Sequence, residues 1–260
     1  MKYYLADACQ NTFILFDCVD SVQLDKKILR EAHLCLEKEN RDDALILADG
    51  QIKEGAFIVH MIVLGLDGQI AEFCGNGARA SAAYLFKHYP FFEMIYLKTK
   101  RGLHQISQHG VNIYSVKVPP ASFKWNKKFI SNPETLKKLY EVKYVETGEP
   151  HLIIEKKLDD EQLTTIGREL NQKKDLFPFG INVNAWHVLE KGKIYVKTYE
   201  RGVQRLTRSC GTGSMACAAF YQAKGTVQVS TPGGSLGITF RDNEIELCGE
   251  SRITKTIEVI

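Results

Sequence analysis

Two stretches of this chain, FCGNGARASAAY at 73–84 and SCGTGSMACAAF at 209–220, share the pattern C-G-x-G-x-x-A-x-A-A-aromatic. The repeat constrains the fold more than any compositional figure, because it predicts two homologous halves built on one plan. Cys74 aligns with Cys210, Gly75 with Gly211, and Gly77 with Gly213. Ala80, Ala82 and Ala83 align with Ala216, Ala218 and Ala219, and Tyr84 with Phe220. Downstream, Thr99 and Thr231 each open a turn that leads into a strand. Glycines followed by an alanine-rich run mark a turn passing into a closely packed helix, so each copy presents a helix N-terminus with a cysteine at its mouth.

The rest of the chain fits that plan. Segments rich in Ile, Val, Tyr and Phe predict strands at 13–16, 44–48, 57–64, 94–98 and 111–118 in the first half. Others are expected at 152–155, 194–199, 227–230 and 236–240 in the second. Between the first two strands, DKKILREAHLCLEKEN carries Ile28, Leu29, Ala32, Leu34 and Cys35 as the apolar stripe of an outer helix. Further helices are expected from Asn132, an N-cap followed by Pro133, and over 159–171. Pro119 and Pro120 open the aperiodic VPPASFKWNKK, which places the domain boundary. The first half is residues 1–118, joined by a last strand at about 250–260, and the second is 119–249.

A formal charge of +3 without a basic run excludes a nucleic-acid or membrane-surface footprint and points to a small-molecule partner. Asp7, Gln10 and Asn11 interrupt any apolar start, so no signal peptide is expected, and no apolar run is long enough for a membrane span. Seven scattered cysteines without a CxxC pair are expected to be free thiols in a cytoplasmic protein, with no metal site.

A helix N-terminus offers unpaired amides and the positive end of the helix dipole, which bind anions and favour a thiolate at the same place. Neither stretch has the full glycine pattern of a nucleotide-binding loop. A Cys–His nucleophile built on His151 leaves the second thiol unexplained. Two equivalent acid–base groups on opposite sides of one carbon are what inversion of a stereocentre needs: one thiolate removes the α-proton and the opposing thiol supplies another. The converging helix ends would stabilise the substrate carboxylate as it takes up charge. No lysine is marked as a Schiff-base former, so no pyridoxal or other cofactor is expected.

Taken together, CGNGAR at 74–79, SCGTG at 209–213, YERG at 199–202, FPFGINV at 177–183, PGGSL at 232–236 and GEPH at 148–151 resemble the diaminopimelate epimerase family over nearly the whole chain. The resemblance implies an α/β fold of two pseudo-symmetric domains, each a mostly antiparallel curled β-sheet around a central α-helix, with the active site in the cleft between them. It implies cofactor-independent interconversion of LL- and meso-diaminopimelate, in lysine and peptidoglycan-precursor synthesis, by Cys74 and Cys210. Gly75, Asn76, Gly211 and Thr212 would hold the α-carboxylate. Glu200 would accept the substrate ammonium and, with His151, set the thiol protonation. Asn11, Asn182 and Arg201 would bind the polar ends of the substrate, and a homodimer is expected.

Three positions depart from the family pattern at its distal substrate grip: Ala44 for a glutamine, Gly65 for an asparagine, and Glu149 for the asparagine of G-N-P-H. They leave open a racemase of another amino acid, such as glutamate or histidine. A non-catalytic amino-acid-binding homologue is a third reading, which the presence of both thiols disfavours.

Overall fold

The computed structural model describes residues 2–21, 26–134, 142–222 and 224–258. The chain divides into two compact units, Met1–Val118 with Leu247–Ile260, and Pro119–Glu246. In the first unit the elements run β1 (Lys2–Ala8), β2 (Asn11–Cys18), α1 (Lys26–Glu39), β3 (Asp43–Lys53), β4 (Ala56–Gly65), β5 (Ile70–Ala71), α2 (Gly75–His88), β6 (Ile95–Thr99), β7 (Gly102–Gly110) and β8 (Ile113–Val118). The second contains β9 (Lys143–Glu146), β10 (Pro150–Glu155), α3 (Asp160–Gln172), β11 (Asn182–Glu190), β12 (Lys193–Glu200), β13 (Arg205–Thr207), α4 (Gly211–Tyr221), β14 (Gly225–Thr231) and β15 (Gly234–Phe240). The chain returns to the first unit through β16 (Ile245–Glu250) and β17 (Arg252–Glu258).

The two units repeat one topology. In the first, β1 pairs antiparallel with β2, β2 parallel with β3, and β3 antiparallel with β4. Strand β4 then pairs antiparallel with β5 and parallel with β6, and β6 antiparallel with β7. In the second the same sequence of senses runs β9, β10, β11, β12, β13, β14 and β15. In each unit one helix fills the first parallel crossover, α1 or α3, and the thiol-bearing helix fills the second, α2 or α4. The fold is α/β, with mixed but mainly antiparallel pairing around a buried helix. Among the described residues no helix is long and apolar enough to cross a membrane.

Burial follows from helices covering both faces of the strands. Residues 44–48 of β3 form one continuous buried run, as expected of a strand packed on two sides. Ala44 and Ile46 join Tyr3, Leu5, Ile14, Phe16, Ile62 and Leu64 in the core beneath α1. Leu45, on the opposite face, meets α2 at Gly77. Helix α2 is buried at every residue from Gly75 to Leu85, and α4 from Gly211 to Ala219. Small residues on all sides let strands approach closely, the pattern of a central helix rather than a surface one. Among the expected α1 stripe, Ala32 is buried and Ile28, Leu29 and Cys35 pack against the core. Leu34 instead faces solvent at 54% exposure and Leu36 takes the core place, because a residue two positions after Ala32 projects across the helix. Strand β8 starts at Ile113 rather than Val111, since Val111 and Asn112 form the preceding turn with Asn112 at φ 59°. The helix expected from Asn132 extends over residues outside those described.

Candidate active site

Each repeated motif folds into a thiol-capped helix. Cys74 is the N-cap of α2, extended at φ −137° and ψ 113°, and Cys210 is the N-cap of α4 at φ −116° and ψ 111°. The sulfur takes the part that a Ser or Asp oxygen ordinarily plays at this position. Cys74 Sγ accepts from the Gly77 N–H at 3.3 Å, and Cys210 Sγ from the Gly213 N–H at 3.4 Å. The ladders begin with Ala78 N–H to Cys74 O and Ser214 N–H to Cys210 O, at 2.8 and 2.9 Å. The amides of Gly75 and Asn76, and of Gly211 and Thr212, therefore precede the intrahelical bonds, at the positive end of each helix. Two leading amides stand beside a sulfur at a helix start, an arrangement able to hold an anion, and it is built twice.

The glycines three residues after the thiols are required by close approach. A Cβ on Gly77 would stand 2.8 Å from Leu45 Cδ2, and one on Gly213 would stand 2.3 Å from Asn184 Oδ1 and 2.8 Å from Thr198 Oγ1. Both helix starts are thus seated directly on the strands behind them.

What lies behind them differs. In the first unit, Arg79, fully buried, donates to Asn76 Oδ1 at 2.6 Å and to the Glu250 carbonyl at 2.8 Å. Asn76 donates in turn to Asn11 Oδ1 at 3.1 Å, and Asn11 to Asp42 Oδ2 at 3.1 Å. Asp42 also accepts from the Thr12 amide and hydroxyl, at 2.8 and 2.9 Å. The chain of bonds joins Asn11, Asn76 and the Cys74 turn. Asn11 retains one amide hydrogen and one lone pair beyond these bonds, which is what it could offer a ligand.

In the second unit the support is neutral. His151 on β10 is completely buried, and its Nδ1 lies 3.0 Å from Asn184 Nδ2. Asn184 also donates to the Leu152 carbonyl at 3.0 Å and accepts from Thr198 Oγ1 at 2.8 Å. That network makes the amide nitrogen the donor, so Nδ1 accepts and the ring proton sits on Nε2. His151 Nε2 has no hydrogen-bond partner. Burial above all, then the Arg201 charge, pushes the imidazole down to about 3, with the Asn184 bond opposing. His151 is accordingly neutral at pH 7. Any help it gives a thiol is that of a neutral N–H donor, not of the charged partner a thiolate ordinarily uses.

The other expected residues gather on the same unit. Thr147 Oγ1 donates to the Thr212 carbonyl at 2.7 Å, tying the 147–149 connection to the start of α4. Asn182 donates to the Pro150 carbonyl at 3.1 Å and accepts from the Arg201 amide at 3.0 Å. Glu200, at the end of β12, is held by Thr207 Oγ1 at 2.5 Å. Arg201 forms an ion pair with Glu149 and lies over the Phe129 ring at 5.2 Å. Of the three departures, Ala44 is sealed in the core beneath α1 and Gly65 ends β4, whereas Glu149 stands in the connection at 147–149. Arg79, Asp42, Asn184 and Thr147 were not singled out from sequence as site residues. Only Arg79, inside the repeated motif, and Asn184, a polar residue in the otherwise apolar NVNAW of β11, gave a signal there.

Comparison with known proteins shows the family and the fold. The sequence model of the family described as diaminopimelate epimerase matches residues 143–254. A diaminopimelate epimerase of Thermotoga maritima is 31% identical over 246 residues, covering 92% of this chain and 94% of the relative. One from Listeria innocua is 28% identical over 279 residues, covering 95% and 84%. Among solved structures, a probable proline racemase from Agrobacterium radiobacter superposes with a TM-score of 0.73 at 12% identity, covering all of this chain and 92% of the other. That last likeness is one of fold.

Proposed function

Given that the chain belongs to the diaminopimelate epimerase family and is an isomerase, we propose that it interconverts LL- and meso-2,6-diaminopimelate by a two-base exchange of the α-proton. The observation that carries this reading is the pair of matched helix starts, each with its thiol as N-cap and two leading amides beside it. In the proposed reaction one sulfur is a thiolate and the other a thiol. The thiolate takes the α-proton as the C–H bond breaks, and the thiol delivers its proton to the opposite face of the same carbon. Inversion results, the two sulfurs exchange protonation states, and the reverse reaction uses them in the opposite order.

The α-carboxylate must be stabilised as electron density moves onto it. The amides of Gly75, Asn76, Gly211 and Thr212 supply donors that need no reorganisation. In this reading Glu200 receives the substrate ammonium, and Asn11, Asn182 and Arg201 receive its remaining polar groups. His151 contributes a neutral N–H. No cofactor takes part in the proposed scheme. The proposed setting is the cytoplasm, in lysine and peptidoglycan-precursor synthesis, and the proposed assembly is a homodimer.

The test is proton NMR of the reduced protein in deuterated water with LL-diaminopimelate. The expected result is loss of the α-proton signal together with appearance of the meso form. Protein that leaves the α-proton in place over many hours overturns the proposal.

A further inference from the structure

The proposed reaction gives Arg201 a part in holding the substrate but gives none to Glu149, its ion-pair partner. Glu149 belongs to the 147–149 connection between β9 and β10, which Thr147 fastens to Thr212 in the first turn of α4. Arg201 follows Glu200, and its backbone amide is held by Asn182, whose own side chain donates to the Pro150 carbonyl. The Arg201 charge is close enough to be felt by His151. The two side chains are only 20% and 15% exposed, Arg201 and Glu149 in that order, so neither charge is well solvated. The guanidinium is further engaged by the Phe129 ring and, at 3.5 Å, the Phe179 carbonyl.

We propose that Glu149 is a specificity-determining residue, which by neutralising Arg201 selects amino acids whose far end carries no net charge. The inference rests on the epimerase reading and names the substrate class of that same site. A lone side-chain carboxylate, as in glutamate, can reach Arg201 only by displacing Glu149. That parts a poorly solvated carboxylate from the guanidinium that neutralises it, which is costly when a pair is shielded from water. A lone side-chain ammonium, as in lysine, can reach Glu149 only by stranding Arg201. A far end carrying both charges, as in a second amino-acid group, exchanges partners one for one: its carboxylate goes to Arg201 and its ammonium to Glu149. The count of paired charges is unchanged. Discrimination here comes from the unpaired charge that a wrong substrate would create.

The experiment is α-proton exchange in deuterated water, with kcat and KM measured for LL-diaminopimelate, glutamate and lysine on wild-type protein, Glu149→Gln and Glu149→Asp. Wild type is expected to favour diaminopimelate over both others. Glu149→Gln keeps the size of the side chain but frees the Arg201 charge. It is expected to raise the glutamate-to-diaminopimelate ratio of kcat/KM on the order of 10-fold, mainly through KM. Glu149→Asp retains the charge and is expected to retain the wild-type preference. If wild type exchanges diaminopimelate but the ratio in Glu149→Gln stays at the wild-type value, or if wild type turns over glutamate as well as diaminopimelate, this assignment falls while the epimerase reading stands. If no variant exchanges any of the three amino acids, both fall together.

Discussion

The two helix starts match in the backbone and sulfur bonds of their caps and differ in their foundations. At Cys74 the turn is tied through Asn76 to a buried guanidinium, and through Asn11 to the Asp42 carboxylate. At Cys210 the turn rests on Asn184 and Thr198, with a neutral imidazole behind them. The repeat preserves the thiol cap, the glycines and the leading amides, while the scaffold beneath solves the same positioning problem with charge in one copy and with neutral dipoles in the other.

The largest expected effect tests whether the shared caps are equivalent. Cys74→Ala and Cys210→Ala should each lower the rate of inversion by about 10³-fold or more, the scale of a positioned acid or base. Chiral analysis of the product over time measures it, and high activity in either variant would end the equivalence. Next comes the seating of the helices. Gly213→Ala drives a methyl into Asn184 and Thr198, whereas Gly77→Ala meets the movable end of Leu45. Costs of about 2–3 kcal/mol and about 1 kcal/mol are expected, within the usual range for overpacking, and urea unfolding of both variants compares them.

The last effect concerns acid. His151 has its folded-state proton affinity depressed to about 3 from an ordinary 6.5. Its neutral form therefore contributes stability that is complete above about pH 6.5 and is lost as pH falls toward 3, at about 1.4 kcal/mol per pH unit. His151→Gln should unfold with a shallower dependence on acid than wild type between pH 6.5 and 4, measured as the shift of the urea midpoint. Equal slopes would mean that the imidazole is not held neutral.

Much of this was legible in the sequence, and for definable reasons. The paired thiol turns repeat with their spacing intact, and β-branched runs such as 57–64 and 194–199 became β4 and β12. Strand β1 was not read as a strand, because KYYLADA shows little alternation when helices lie on both sides of it. Strand β11 was missed because its inward residues Asn182 and Asn184 are polar, chosen to hold Pro150 and His151 rather than to fill a core. The neutrality of His151 depends on complete burial, and the Glu149–Arg201 pair joins residues far apart in the chain. Neither leaves a local pattern. The Glu149 substitution was visible as a departure, but its partner was not.

The first unit owes its last strands to residues that come after the whole of the second. Strand β17 pairs with β1 from Lys2 opposite Glu258 to Asp7 opposite Arg252, and the Glu250 carbonyl is one of the acceptors for buried Arg79. During synthesis the segment carrying Cys74 emerges early, yet its sheet has an open edge and its guanidinium lacks that acceptor until residues 250–258 have left the ribosome. The unit carrying Cys210 requires no such return and has all of its sequence available sooner. The unit encoded first is therefore the unit that is finished last.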